Sequence, residues 1–291
     1  MDSREEAILK TLLYSNLFDY PLQEEEIYNF LIAKKMDRKE FSTILKSGKI
    51  PIDFSEGFFF LKGDRKLVRK RQAREIISLE KLKKAGKIIR KLSLIPTIKL
   101  IGISGTLAMK NCEKNNDIDI FVIAESGLTW TTRFLTAGLL SILGVYRNKS
   151  SKQYQDKICL NLVLSEDRML FDKEDLFTAH EIIQLLPVFE RGEIYKKFLS
   201  TNGWVRKFLP NFQIKHKPVF KKQQNHFDRL FIFICKILFL EKILKTLQLF
   251  YMRKAITKER LENGFIGLHP FDYKSHVLKK YNAEVSKFGL T

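Results

Sequence analysis

Apolar and polar positions follow two rhythms along the chain, one of helices and one of strands. Ala7, Ile8, Leu12 and Leu13 recur at helical spacing over residues 4–15, until Phe18-Asp19-Tyr20-Pro21 breaks the pattern. Glu24, Glu25 and Glu26 fill the first turn of a second helix running to about Ala33, where the helix macrodipole favours acids. Asp37 caps a third, which presents Phe41, Ile44 and Leu45 on one face and stops at Gly48. Residues 50–54 and 58–62 are β-prone runs joined by Ser55-Glu56-Gly57, the pattern of a hairpin.

Three helices and a hairpin follow the order of a winged helix. Residues 64–92 then read as one long helix with a basic outer face, holding 12 Lys and Arg against three acids. Pro96 ends it. Beyond it, strands over 97–103, 118–124 and 158–165 interleave with helices over 129–145 and 176–186. From Tyr195 onward the pattern is helical, and 227–254 is strongly apolar. The prediction is an α+β protein in three parts: a winged-helix-like domain with its basic connecting helix (1–93), a central mixed sheet with helices (94–190) and a C-terminal helical region (191–291).

Composition narrows the partners. The 291 residues are 45% apolar, enough for a sizeable core, yet 52 Lys and Arg face 33 Asp and Glu, a formal net charge of +19. Such an excess points to a polyanion: nucleic acid, nucleotide phosphates or an anionic membrane surface. Cys112, Cys159 and Cys235 lie too far apart for a CxxC half-site or a paired framework, and the five histidines have no zinc-ligand spacing. The acidic start lacks the apolar run of a secretory signal, so the expected home is the cytoplasm. Residues 128–146 and 230–252 are apolar, but Arg133 interrupts the first and Lys236, Glu241, Lys242 and Lys245 the second. Neither supplies the roughly 20 uninterrupted residues of a membrane span, so no integral insertion is expected.

Chemistry concentrates in Ile101-Gly102-Ile103-Ser104-Gly105-Thr106 and, after a polar loop, Asp117-Ile118-Asp119-Ile120-Phe121-Val122. Strand alternation puts Asp117 and Asp119 on one face and Ile118 and Ile120 on the other. Two carboxylates so placed repel unless a cation sits between them, and hard oxygen ligands suit magnesium carried with substrate phosphates. A Ser-Gly-Thr turn after a strand offers hydroxyl and N–H groups to phosphate without bulk in the way.

In this order, with ten residues (107–116) between Thr106 and Asp117, the segment resembles the DNA polymerase β-type nucleotidyltransferase superfamily. That pattern is Gly-Ser, about ten residues, then Asp-apolar-Asp-apolar, and Thr106 keeps the serine's hydroxyl. Residues 179–185 and 202–211 look like segments of bacterial and archaeal proteins carrying this domain. The resemblance implies that Asp117 and Asp119 hold magnesium, or manganese in its place. It also implies that a nucleoside monophosphate passes from a nucleoside triphosphate to an acceptor hydroxyl with release of pyrophosphate, by two-metal catalysis. Ser104, Gly105 and Thr106 of the turn are the candidate contacts to the triphosphate, and Arg133, which opens the helix after the Asp strand, is a further candidate. The superfamily's third carboxylate comes from a neighbouring strand. Taking Ile158, Leu160, Leu162 and Leu164 as one apolar face, the site-facing position is Asn161, which cannot take a proton; Glu166 and Asp167 are the substitute acids. A nucleic-acid-binding or regulatory protein with a degenerate transferase fold is the alternative. RNA or DNA would then meet Arg38, Lys39, Lys46 and Lys49 and the 64–92 helix, and Trp204 with Phe208 is a candidate stack for a base. Lys110 and Lys114 are further candidate phosphate contacts.

Overall fold

Asp2 starts the first helix through a reciprocal capping pair with Glu5, and Asp37 starts the third by accepting from the N–H groups of Lys39 and Glu40. A computed structural model describes residues 1–147, 153–214, 216–253, 260–267 and 272–290. Its first part runs α1 (Ser3–Asn16), α2 (Glu24–Asn29), α3 (Arg38–Leu45), the hairpin β1 (Ile52–Ser55) and β2 (Phe58–Leu61), then α4 (Lys66–Leu92). Helix α2 stops short of Ala33, which takes a positive φ of 62°. The hairpin turns on Glu56 and Gly57, both at positive φ, the geometry that matches strand twist.

The 27-residue α4 has the expected basic exterior, with two exceptions that matter. Arg71 is buried, its guanidinium 3.6 Å over the Tyr20 ring, donating to the Pro21 carbonyl and paired with Glu26 at 2.9 Å. Lys81 is also buried and donates to the Asn116 carbonyl at 2.7 Å and to Asp156 at 2.8 Å. These cations join parts of the fold and do not lie on its outer face.

The central sheet contains β3 (Ile98–Ile103), β4 (Ile118–Ala124), β5 (Ile158–Ser165), β6 (Leu186–Glu190), β7 (Phe220–Lys221), β8 (Arg260–Glu262) and β9 (Phe265–Gly267). Their spatial order is β7-β6-β3-β4-β5-β9-β8, with β4 and β5 parallel, β6 and β7 parallel, and the other neighbours antiparallel. The helices are α5 (Gly105–Ala108), α6 (Thr129–Ile142), α7 (Leu176–Gln184), α8 (Ile194–Thr201), a 3-10 turn (Gly203–Lys207), α9 (His226–Ile237), α10 (Leu240–Met252) and α11 (Asp272–Lys287). The fold is therefore mixed α and β, as expected. The stretch 191–291 is not purely helical: β7, β8 and β9 come from it and complete the sheet on both sides. Each has only two or three residues, too few to show a period. Helix α7 also ends before 186, because Pro187 turns the residues preceding it toward extended geometry and β6 begins.

The sheet is covered on both faces. Ile101, Ile103, Ile120, Val122, Leu160 and Val163 pack against the C-terminal half of α4, α6 and α10. On the other face Leu100, Phe121, Ile123 and Leu164 pack against α7, α8 and the N-terminal helices. Arg191 ties α9 to the connection between α4 and β3, donating from a buried position to the carbonyls of Ser93, Ile95 and Ile98 and pairing with Asp228 of α9 at 3.7 Å.

Candidate functional site

The site forms where β3 ends and β4 begins. Antiparallel pairing sets Ser104 beside Asp119, whose carbonyl accepts from the Ser104 N–H at 3.0 Å. Gly105 follows at a φ of +64°, and a side chain there would place its Cβ 3.0 Å from Asp119 Oδ2. Glycine adopts this conformation without strain and lets the turn close on the carboxylate. On the other side the parallel register puts Cys159 of β5 opposite Asp119. Donor atoms of Asp117, Asp119 and Cys159 lie within 4.8 Å of one another. Lys81 fixes the approach to Asp117 from both loops, through the Asn116 carbonyl and the Asp156 carboxylate.

Burial and the charge of Asp119 push the Asp117 carboxyl above its usual range, although Arg147 donates to it. The Arg147 guanidinium is itself held 4.5 Å over the Tyr154 ring. Burial, then the two neighbouring carboxylates, raise the Cys159 thiol well above the ordinary cysteine range. A cysteine sulfur is a soft ligand that suits a hard cation poorly, whereas two carboxylates suit it well. The donor set fits one divalent cation of the magnesium type between Asp117 and Asp119, where Arg147 supplies the balancing charge in this structure.

The other predicted residues separate. Ser104 is buried and accepts from Asn161 Nδ2 at 3.2 Å; Thr106 is exposed. Asn161 does face the Ser104 side, but for a different reason from simple alternation. A bulge opposite Ile120 and Phe121 inserts Asn161 as an extra residue, so Leu162 and Leu164 turn to the same side of the sheet as Phe121 while Ile158 and Leu160 stay on the other. The residue aligned with Asp119 is Cys159. Arg133 does not reach the site: it lies on the opposite side of the sheet, buried between α6 and α10, and donates to Gln248. Glu166 and Asp167 follow the far end of β5, about 20 Å along the strand, where Glu166 pairs with Lys99 and Lys197 and Asp167 accepts from Ser165. Trp204 is buried edge-to-face with Phe208 at 6.0 Å, a core pair. Lys110 pairs with Glu75 and Lys114 is exposed; Arg38 and Lys46 pair with Glu25 and Glu24, while Lys39 and Lys49 are exposed.

Arg147 and Cys159 are the site residues that sequence reasoning missed. Cys159 was within reach, since it shares strand parity with Asn161, but a cysteine among aliphatic residues reads as core. Arg147 carries no motif. Ser104 and Asn161 also border a cavity of about 190 Å³ walled by Phe121, Phe171, Phe177 and Phe265, with Lys173, Arg260 and Lys274 among its lining. No family model matches the chain, and neither curated proteins nor solved structures give a match.

Proposed function

We propose that the chain binds a nucleoside triphosphate with magnesium at Asp117 and Asp119 and transfers its nucleoside monophosphate to an acceptor hydroxyl, releasing pyrophosphate. One observation carries this reading: the two carboxylates stand against the Ser104-Gly105-Thr106 turn so closely that a Cβ at Gly105 would lie 3.0 Å from Asp119 Oδ2. The resemblance to polymerase β-type nucleotidyltransferases supports it. A divalent cation held by the two carboxylates would neutralise the triphosphate and polarise its phosphorus. The turn supplies hydroxyl and N–H donors to phosphate oxygens, and Arg147 exchanges the Asp117 carboxylate for a phosphate oxygen. The aromatic cavity beside Ser104 and Asn161 receives the base or the acceptor.

Cys159 favours a second reading. Among the described residues the aspartate pair is joined by this thiol and by no further carboxylate, histidine or cysteine. A site without a third carboxylate to act as base would bind nucleotide and transfer slowly or not at all, leaving the exposed cations of α4 and the N-terminal helices to act on nucleic acid. Incubation with magnesium and labelled triphosphates separates the two. Pyrophosphate release that disappears in Asp119→Asn supports transfer; magnesium-dependent binding without release supports the second reading; absence of magnesium-dependent binding overturns both.

A further inference from the structure

Helices α9 and α10 turn an apolar surface outward. Asp228, Ile232 and Cys235, at helical spacing, are the buried stripe of α9, and Leu230, Phe233 and Ile237 occupy the opposite side at 54–59% exposure. In α10, Glu241 and Gln248 face α6, while Ile243, Leu247 and Phe250 form an exposed stripe. Phe239, in the turn between the helices, holds a φ of 49° and is 65% exposed. A bulky residue is strained in that left-handed conformation, and here the strain presents an aromatic ring to solvent. Such a surface exceeds the scattered apolar residues of an ordinary exterior.

Charge is partitioned on the same helices. Residues 226–253 contain two acids and five Lys and Arg. Both acids are consumed inside: Asp228 is buried beside Arg191, and Glu241 accepts from the N–H groups of Trp130 and Thr131 at 2.9 Å, capping α6. Arg229, Lys242 and Arg253 are exposed, and Lys236, also exposed, pairs with Glu125. Lys242 lies 5.5 Å from the Phe239 ring and Arg253 lies 5.9 Å from that of Phe250, cations alongside the exposed aromatics.

We propose that the α9–α10 hairpin docks in plane on an anionic phospholipid bilayer. Apolar side chains beside long cationic ones match the boundary between acyl chains and phosphate headgroups, where the chains bury and the cations remain at the phosphates. With 12 and 13 residues the helices are too short to cross a hydrocarbon layer about 30 Å thick, so they lie flat. A second copy is a poor occupant, since self-pairing would bring cations together around the apolar centre. Nucleic acid would leave the apolar stripes in water.

The test is flotation of the full chain with vesicles of phosphatidylcholine and phosphatidylglycerol in equal parts, against phosphatidylcholine alone. The chain is expected to float with the anionic vesicles, roughly tenfold more weakly with the neutral ones. Phe239→Ser with Phe250→Ser, and separately Lys242→Glu with Arg253→Glu, should each lower partitioning by about tenfold, all four side chains being exposed. A solvatochromic dye on Leu247→Cys should shift to the blue on anionic vesicles, an independent reading if a double variant fails to fold. Absence of flotation and of the dye shift, or flotation unchanged by the paired serine substitutions, would overturn the proposal. Concentration-dependent dimerisation abolished by those substitutions, without vesicle binding, would overturn it in favour of a second copy.

Discussion

At Gly105 one added methyl group meets two obstacles, a backbone at positive φ and the Asp119 carboxylate. Gly105→Ala should lower unfolding free energy by about 1–2 kcal/mol in urea titration and weaken magnesium-nucleotide binding with it. Asp117 has the opposite sign. Burial and Asp119 raise its folded-state pKa, so the folded protein resists ionising it and loses stability as pH rises through that value. Asp117→Asn should therefore be at least as stable as the parent at pH 7, with the difference vanishing as pH falls to about 4. Unfolding midpoints at the two pH values measure this. The aspartate pair and the Ser-Gly-Thr turn were legible in the sequence because alternation and spacing are local properties. Arg133 was misplaced because helical periodicity places it on α6 but not the sheet face that α6 covers.

The same division holds for elements. Long α4 and strands β3, β4 and β5 announce themselves by period, but the bulge in β5 does not, and it decides which side chains share a face with Asp119. Cys159→Asp should give the third carboxylate that the register offers. Magnesium should then raise its melting temperature more than that of the parent or of Asn161→Asp. Strands β7, β8 and β9 are too short to read, and their pairing is made by backbone, to which sequence pattern is nearly blind. Nor can a charge pattern tell which lysine of α4 turns inward. Lys81 holds both loops that lead to Asp117, and Lys81→Met strands the Asn116 carbonyl and half of the Asp156 pairing. A loss of about 3 kcal/mol in urea unfolding is expected, together with weaker nucleotide binding.

For the whole molecule, the charge of +19 foretells anionic partners without choosing among them, and the structure distributes it unevenly. Some cations are structural, Arg71, Lys81 and Arg191 among them. Others line the exterior of α4 and the rim of the α9–α10 surface. Among the described residues no helix is long and apolar enough to cross a membrane. The proposed activity requires that the aspartate pair hold a cation together with a triphosphate. Calorimetric titration with a non-hydrolysable nucleoside triphosphate, with and without magnesium, tests this most directly. The predicted result is binding only in the presence of magnesium, weakened about tenfold or more in Asp119→Asn. Equal affinity in the variant, or binding indifferent to magnesium, would contradict it.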